Sequence, residues 1–243
     1  MKQLSMCSDL LVALPTYNER RNVAGLASRI RALPLTADIL FVDDGSPDGT
    51  GAELDRLAKE MSGVHVIHRP FRQGIGSAHK TALRYAYQSG YRFLITLDAD
   101  GTHPPEDIPH LMANAAEATV IVASRFQSVS ADQRHYWQIM QSRLGHRLTG
   151  WLFGLPADMS NAFRLYCLDQ IDPQIFLLCR SNGYGFFPES LYRLHQRGAL
   201  IAEVPVILAP RQWGKSKMRL RDIGGWIVRL TFLRVSGTRY PHP

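Results

Sequence analysis

Cysteine is scarce in this sequence: Cys7, Cys167 and Cys179 are all there is in 243 residues. An odd number at scattered positions builds neither a disulfide framework nor a zinc site, and it suits a reducing cytosol. Long apolar runs are also missing. None reaches the ~18 residues that a membrane-spanning helix needs. Asp9 interrupts the short hydrophobic stretch near the start, so no signal peptide of the usual form is expected. No internal repeat or low-complexity tract occurs. The first apolar strand is not followed by a glycine-rich turn, which argues against a dinucleotide-binding domain. Acidic residues become rare toward the C-terminus, where Asp222 stands alone among many basic residues between Arg211 and Arg239.

What is present fits an ordinary globular α/β protein, with 45% hydrophobic residues. The length allows one sizeable domain, or one domain with a C-terminal appendage. Lys and Arg number 28 against 21 Asp and Glu, a net charge of +7. Such a balance suits a partner that carries phosphate: a nucleotide, a nucleic acid or an anionic membrane surface. No helix-turn-helix, zinc or RNA-recognition signature supports the nucleic acid, so no nucleic-acid partner is expected.

Apolar runs at Leu10–Leu14, Ile39–Val42, Val64–His68, Phe93–Leu97 and Val120–Ala123 read as buried strands. Helical spacing predicts helices over Asn22–Leu33, Glu53–Met61, Ser77–Ser89 and Ile108–Ala118 between them. This alternation implies an open, mostly parallel sheet with helices on both faces. After Arg125 the pattern changes; Gly183–His195 reads as a helix and Leu200–Leu208 as a further strand.

Ligands of such sheets bind beyond the carboxyl ends of the strands, and the polar clusters fall there. Asp98 and Asp100 flank Ala99 at the end of one strand, where alternation turns both carboxylates the same way. Such a pair can hold Mg²⁺ or Mn²⁺, with water and substrate phosphates completing the shell. Asp43-Asp44-Gly45-Ser46 is either a plain turn or a carboxylate site for a base or ribose. Arg125, Arg211, Lys215 and Lys217 are cations suited to phosphates, or else a solvated basic surface. His103 reads as a loop residue capping Pro104-Pro105.

Taken in order, these motifs resemble glycosyltransferase family 2. The likeness rests on Pro15-Thr16-Tyr17-Asn18-Glu19, on Asp43 through Thr50, and on Asp98-Ala99-Asp100 followed by His103-Pro104-Pro105. Ala123-Ser124-Arg125, Asp158 through Tyr166, Glu203-Val204-Pro205 and Arg211 through Lys217 narrow it to the dolichyl-phosphate, or polyprenol monophosphate, mannose synthases. The resemblance implies a GT-A-type fold and an inverting transfer of mannose from GDP-mannose to a polyprenyl phosphate. It assigns Pro15, Tyr17, Glu19, Val42 and Asp44 to the nucleoside. Asp98, Ala99 and Asp100 fall to the diphosphate and its metal, with Thr102 as a third metal position. Arg125, Arg211 and Lys217 go to phosphates, and Ser142 and Arg143 to the phosphate of the acceptor. Asp98, Asp100 and Arg125 would carry the catalysis. Thr102, Ala123, Ser160-Asn161-Ala162 and Phe187 depart from the family pattern, mostly on the acceptor side. A UDP-glucose-type donor or a non-lipid acceptor is therefore an open alternative within the family, and a non-catalytic basic binding protein is one outside it.

The resemblance covers about residues 10–218, so a catalytic domain is expected over 1–218 and a basic amphipathic segment over 219–243. In that segment Leu220, Ile223, Ile227 and Leu230 recur at helical spacing, with Trp226 and Leu233 beside them. Arg219, Arg221, Arg229 and Arg234 flank the stripe. Such a helix can lie on a membrane surface, here the cytoplasmic face, or pack on the protein's own core. A membrane anchor protein is the alternative way to reach a lipid acceptor.

Overall fold

Each apolar run forms a strand, and the helically spaced segments between the runs form helices. The computed structural model describes residues 8–124, 150, 153–155, 158–209 and 220–235. In chain order these hold β1 (Leu10–Thr16), α1 (Val23–Arg31), β2 (Asp38–Asp43), α2 (Thr50–Glu60), β3 (Val64–His68) and α3 (Ile75–Gln88). Next come β4 (Phe93–Thr96), a 3-10 turn (Pro105–Asp107) that leads into α4 (Ile108–Ala113), and β5 (Val120–Ser124). After these follow β6 (Arg164–Cys167), a second 3-10 turn (Leu168–Gln170), α5 (Gln174–Leu177), α6 (Phe186–Gln196), β7 (Ile201–Pro205) and α7 (Leu220–Val235).

The strands make one seven-stranded sheet in the order β3-β2-β1-β4-β6-β5-β7. All pairings are parallel except those of β6, which runs antiparallel to both β4 and β5. Alternate residues of each strand feed opposite faces. Leu11, Ala13, Leu40, Val42, Leu94, Val120 and Val122 pack with α3 and α6. Leu10, Val12, Leu14, Ile39, Phe41, Ile95 and Ile121 pack with α1, α2 and α4. Both faces are covered, as expected for a mostly parallel sheet.

Strand β6 has no counterpart in the sequence reading. It is short, and it opens on Arg164, a charged residue that masks a buried strand. Arg164 is fully buried. Its guanidinium donates to the carbonyls of Asn161 (2.8 Å), Met159 (2.8 Å) and Phe187 (3.0 Å). A buried arginine survives when its fork is met by acceptors in this way. The start of α3 packs tightly on the 182–183 backbone. A Cβ on Gly76 would lie 2.5 Å from Phe186 Cβ and 2.6 Å from the Gly183 carbonyl oxygen. Only glycine permits that approach.

Helix α7 bears on the two placements left open for its apolar stripe. Leu230 and Leu233 of the apolar stripe are buried against the body of the protein, and Ile227 is half-buried. Arg229 reaches the buried carboxylate of Glu189 on α6 at 3.1 Å. The described part of the stripe, Ile227 to Leu233, thus packs on the core, and Arg229 ties that face of the helix to Glu189. The exposed apolar residues are instead Val228, Phe232 and Val235. The side chains of Leu220, Ile223 and Trp226, and those of Arg219 and Arg221, lie outside the described residues.

His79 on α3 is completely enclosed by the core. Phe187 meets its ring edge-on at 4.8 Å and Phe186 stacks at 5.9 Å. Its Nε2 has no hydrogen-bond partner among the described residues. Burial, with the Arg164 cation and His103 nearby, pushes the imidazole from the ordinary 6.5 down to about 3. The unfolded chain therefore takes up a proton that the fold refuses. The stability this neutral ring contributes is complete above about pH 6.5 and is lost as pH falls from there toward 3. His79→Leu should relieve that loss. In urea denaturation, the stability of the variant relative to wild type should improve by roughly 2 kcal/mol between pH 7 and pH 5. A pH-independent difference would mean that the ring takes up its proton as readily in the fold as in the unfolded chain.

Candidate active site

Strands β2, β1 and β4 lie side by side and parallel, so their carboxyl ends share one edge of the sheet. Beyond β4, at the middle of that edge, stand Asp98, Ala99 and Asp100. The Asp98 side chain keeps 29% of its surface exposed; Asp100 and Ala99 are buried. Asp100 is locked in place, because its Oδ1 accepts the Thr102 amide at 3.0 Å and the Thr102 hydroxyl at 2.6 Å. The sequence reading offered Thr102 as a metal position; here its hydroxyl acts on Asp100. The Asp98 amide donates to His103 Nδ1 at 2.9 Å, which leaves the proton of a neutral ring on Nε2. His103 is buried beside Phe163, with ring centroids 5.4 Å apart. It props up the Asp98 backbone, where a cap on the following prolines was expected.

The turn after β2 is a net of carboxylates on backbone amides. Asp43 accepts from the Ser46 amide (3.2 Å) and hydroxyl (2.5 Å). Asp48 accepts from the Thr50 amide and hydroxyl and from the Arg20 amide. Burial would raise the Asp48 carboxyl, yet these hydrogen bonds hold it below the usual carboxylate value. Ser46 and Thr50 in turn accept the amides of Asn18 and Glu19. The loops after β1 and β2 are therefore one unit.

Asp44, assigned to the nucleoside from sequence, is buried and engaged. It accepts the Gln73 and Gly74 amides at 2.8 and 3.0 Å, and its Oδ1 lies 2.5 Å from Arg69 Nη2. Arg69 also donates to Ser77 Oγ and the Gly74 carbonyl. Burial pushes the Arg69 guanidinium down, against the pull of Asp44. Tyr17 and Pro15 are half-exposed at the end of β1, and Glu19 is buried, accepting from Asn22 Nδ2 at 2.7 Å. Val42 has no exposed surface. Its side chain belongs to the core, so the direct nucleoside contact expected of it is not available to that side chain. Arg125, Ser142, Arg143, Arg211 and Lys217 lie outside the described residues.

The site thus joins Pro15, Tyr17, Glu19, Asp44, Asp98 and Asp100 along one sheet edge. It adds Arg69 and Arg72, which the sequence reading passed over. The Arg72 guanidinium carbon lies 4.6 Å from the centre of the Tyr17 ring. Arg69 directly follows β3 and Arg72 lies three residues further into the same loop, and the strand-end rule that picked out the aspartates could have found them. The donor set also suits a hard cation. Asp98 and Asp100 offer carboxylate oxygens, and among the described residues no cluster of three His, Cys, Asp or Glu closes a full cage. Such an open arrangement fits an ion whose remaining ligands are water and phosphate.

The family model described as Glycosyl transferase family 2 matches residues 11–173. The chain belongs to glycosyltransferase family 2. An undecaprenyl-phosphate mannosyltransferase of Micrococcus luteus is 34% identical over 226 residues, covering 91% of this transferase and 92% of the relative. A polyprenol monophosphomannose synthase of Mycolicibacterium smegmatis is 34% identical over 212 residues, covering 86% and 80%. The fold is the GT-A type. Mannosyl-3-phosphoglycerate synthase from Rubrobacter xylanophilus superposes with a TM-score of 0.66 at 18% identity, over 97% of this chain and 78% of that one. A mannosyltransferase from Pyrobaculum calidifontis in complex with GDP-Man and Mn²⁺ gives 0.63 at 15% identity, over 98% and 67%.

In the transferase, the Asp44–Arg69 pair is what fastens the loop after β3 to the turn after β2. Arg69→Met would leave a buried carboxylate without its cation and should cost about 3 kcal/mol of unfolding free energy. Changing Asp44 to Asn in the same chain removes the charge and keeps an acceptor for the two amides. The double variant should therefore be more stable than Arg69→Met alone. A loss below ~1 kcal/mol, as for an exposed ion pair, would show that the pair is solvated.

Proposed function

We propose that this transferase moves mannose from GDP-mannose to a polyprenyl phosphate with inversion at the anomeric carbon. The observation that carries the reading is the locked Asp100 beside half-exposed Asp98 at the centre of the strand-end edge. Two relatives at 34% identity, covered over most of their length, are named for mannose and polyprenyl phosphate. Asp98 and Asp100 would hold Mg²⁺ or Mn²⁺. When bound, the ion supplies positive charge against the departing diphosphate. Thr102 keeps Asp100 turned toward its task, and His103 fixes the Asp98 backbone. The acceptor phosphate is already anionic near neutral pH, so the site must align it in line with the leaving group and needs no strong base. By resemblance, Arg125, Arg211 and Lys217 meet phosphates and Ser142 and Arg143 meet the acceptor.

A transfer assay with GDP-mannose and a polyprenyl phosphate tests the reading. Asp100→Ala and chelation by EDTA should each abolish transfer. Thr102→Val, which removes one hydrogen bond from a ligand of the ion, should weaken Mn²⁺ binding about tenfold; Thr102→Ser should restore it. Full activity in EDTA, or faster transfer from UDP-glucose, would defeat the proposal.

We also place the acceptor-side contact on the outer face of α7, within the C-terminal segment that begins at residue 219. No helix among the described residues is long and apolar enough to cross a membrane. Val228, Phe232 and Val235 are exposed together on that helix, with Arg234 exposed beside them. An apolar face with a cation at its edge suits the interface of an anionic bilayer, here its cytoplasmic face. The full chain should sediment with anionic liposomes at low salt, less so at high salt, and Phe232→Glu should remain in the supernatant. If wild type also remains there, an anchor protein must bring the site to the lipid.

A further inference from the structure

Arg72 is left over by everything described so far. It lies in the loop that follows β3, next to Gln73 and Gly74, whose amides are held by Asp44. It is exposed, and among the described residues its guanidinium meets no hydrogen-bond acceptor. Its single described partner is the ring of Tyr17, 4.6 Å away. A contact with an aromatic face engages the charge of the guanidinium and leaves its N–H fork unspent.

The position of that fork matters. Asp98 and Asp100 follow β4; β4 pairs with β1, which ends at Tyr17; β1 pairs with β2, which ends at the Asp44 turn. Two interstrand spacings amount to about 10 Å, a span that a ribose bridges between a diphosphate and its base. A nucleotide whose diphosphate sits at Asp98 and Asp100 therefore brings its base to the Tyr17–Arg72 end. Asp44 is buried there and already bound by two amides and Arg69. Arg72 is the exposed group with donors to spare.

We propose that Arg72 is a specificity-determining residue that reads the donor's base as guanine. Two neighbouring acceptors, O6 and N7, lie along one edge of guanine and match the two parallel N–H groups of an arginine. Adenine presents an acceptor beside a donor on that edge, and a pyrimidine such as uracil has no N7. Tyr17 holds the guanidinium in place, and the Asp44 hydrogen bonds hold the loop that carries it. The assignment rests on the reading that the donor is a guanine nucleotide-sugar.

Calorimetric titration of the full chain with GDP, 7-deaza-GDP and UDP, in the presence of Mn²⁺, tests it. Wild type should bind GDP more tightly than UDP and should lose about tenfold in affinity for 7-deaza-GDP, which lacks the N7 acceptor. Arg72→Lys keeps the charge and removes the fork. It should lose about tenfold for GDP, bind GDP and 7-deaza-GDP alike, and leave UDP affinity unchanged. The exposed position predicts an unaltered melting temperature. Equal losses for GDP and UDP would assign Arg72 to the phosphates, and no loss for either would make it a surface group; each result overturns the proposal. If wild type binds UDP and not GDP, the donor reading itself fails, and the assignment of Arg72 to guanine falls with it.

Discussion

Short acidic side chains bound to backbone amides give the carboxyl edge of this sheet its shape. Strands end there, and the amides of the loops beyond them have no ladder partner. Asp43 takes the amide of Ser46, Asp44 those of Gln73 and Gly74, and Asp48 those of Thr50 and Arg20. Asp100 takes that of Thr102 and Asp158 that of Ser160. Charged acceptors make such bonds stronger than neutral ones. The same choice gathers negative charge where a phosphate substrate must arrive. Arg69 offsets part of it inside the fold, and a divalent ion at Asp98 and Asp100 would offset the rest. Loop architecture and a negative charge that a metal would offset are thus two consequences of the acidic residues at this edge.

A second buried carboxylate organises the packing of α6 and α7. Glu189 receives the amides of Arg180 and Ser181 and the guanidinium groups of Arg193 and Arg229. Burial would raise its carboxyl, but these donors hold it below the usual carboxylate value. Through Arg229 it orients α7. Through the 180–182 segment it supports the start of α3, where Ser77 donates its amide to the Asn182 carbonyl at 3.1 Å. The helix proposed to meet the membrane and the helix that opens beside the Asp44 loop share this anchor.

Much of the sheet was legible because β1, β2, β4 and β5 are buried on both faces and read as unbroken apolar runs. Asp98 and Asp100 were legible because strand ends and ligand sites coincide in such sheets. Strand β6 escaped because it is four residues long and buries Arg164, a charged residue whose acceptors, the Asn161, Met159 and Phe187 carbonyls, come together only in the fold. What covers the stripe of α7 was not legible, because hydrophobic spacing finds a stripe and cannot name its partner; Arg229 ties the helix to Glu189 of another helix. The burial of Asp44 and Val42 and the partners of Asp44 were likewise beyond what residue type could tell. Sequence marks a residue's chemistry, while its neighbours decide whether that chemistry faces a ligand, a loop amide or the core.

The two aspartates after β4 are the centre of the proposed chemistry. The most direct test is anomalous diffraction at the manganese edge from crystals of the full chain grown with Mn²⁺ and GDP. The account predicts one strong peak within bonding distance of carboxylate oxygens of both Asp98 and Asp100, with phosphate oxygens on its open side. A peak held by Asp43 and Asp44 instead, with none at Asp98 and Asp100, would contradict it.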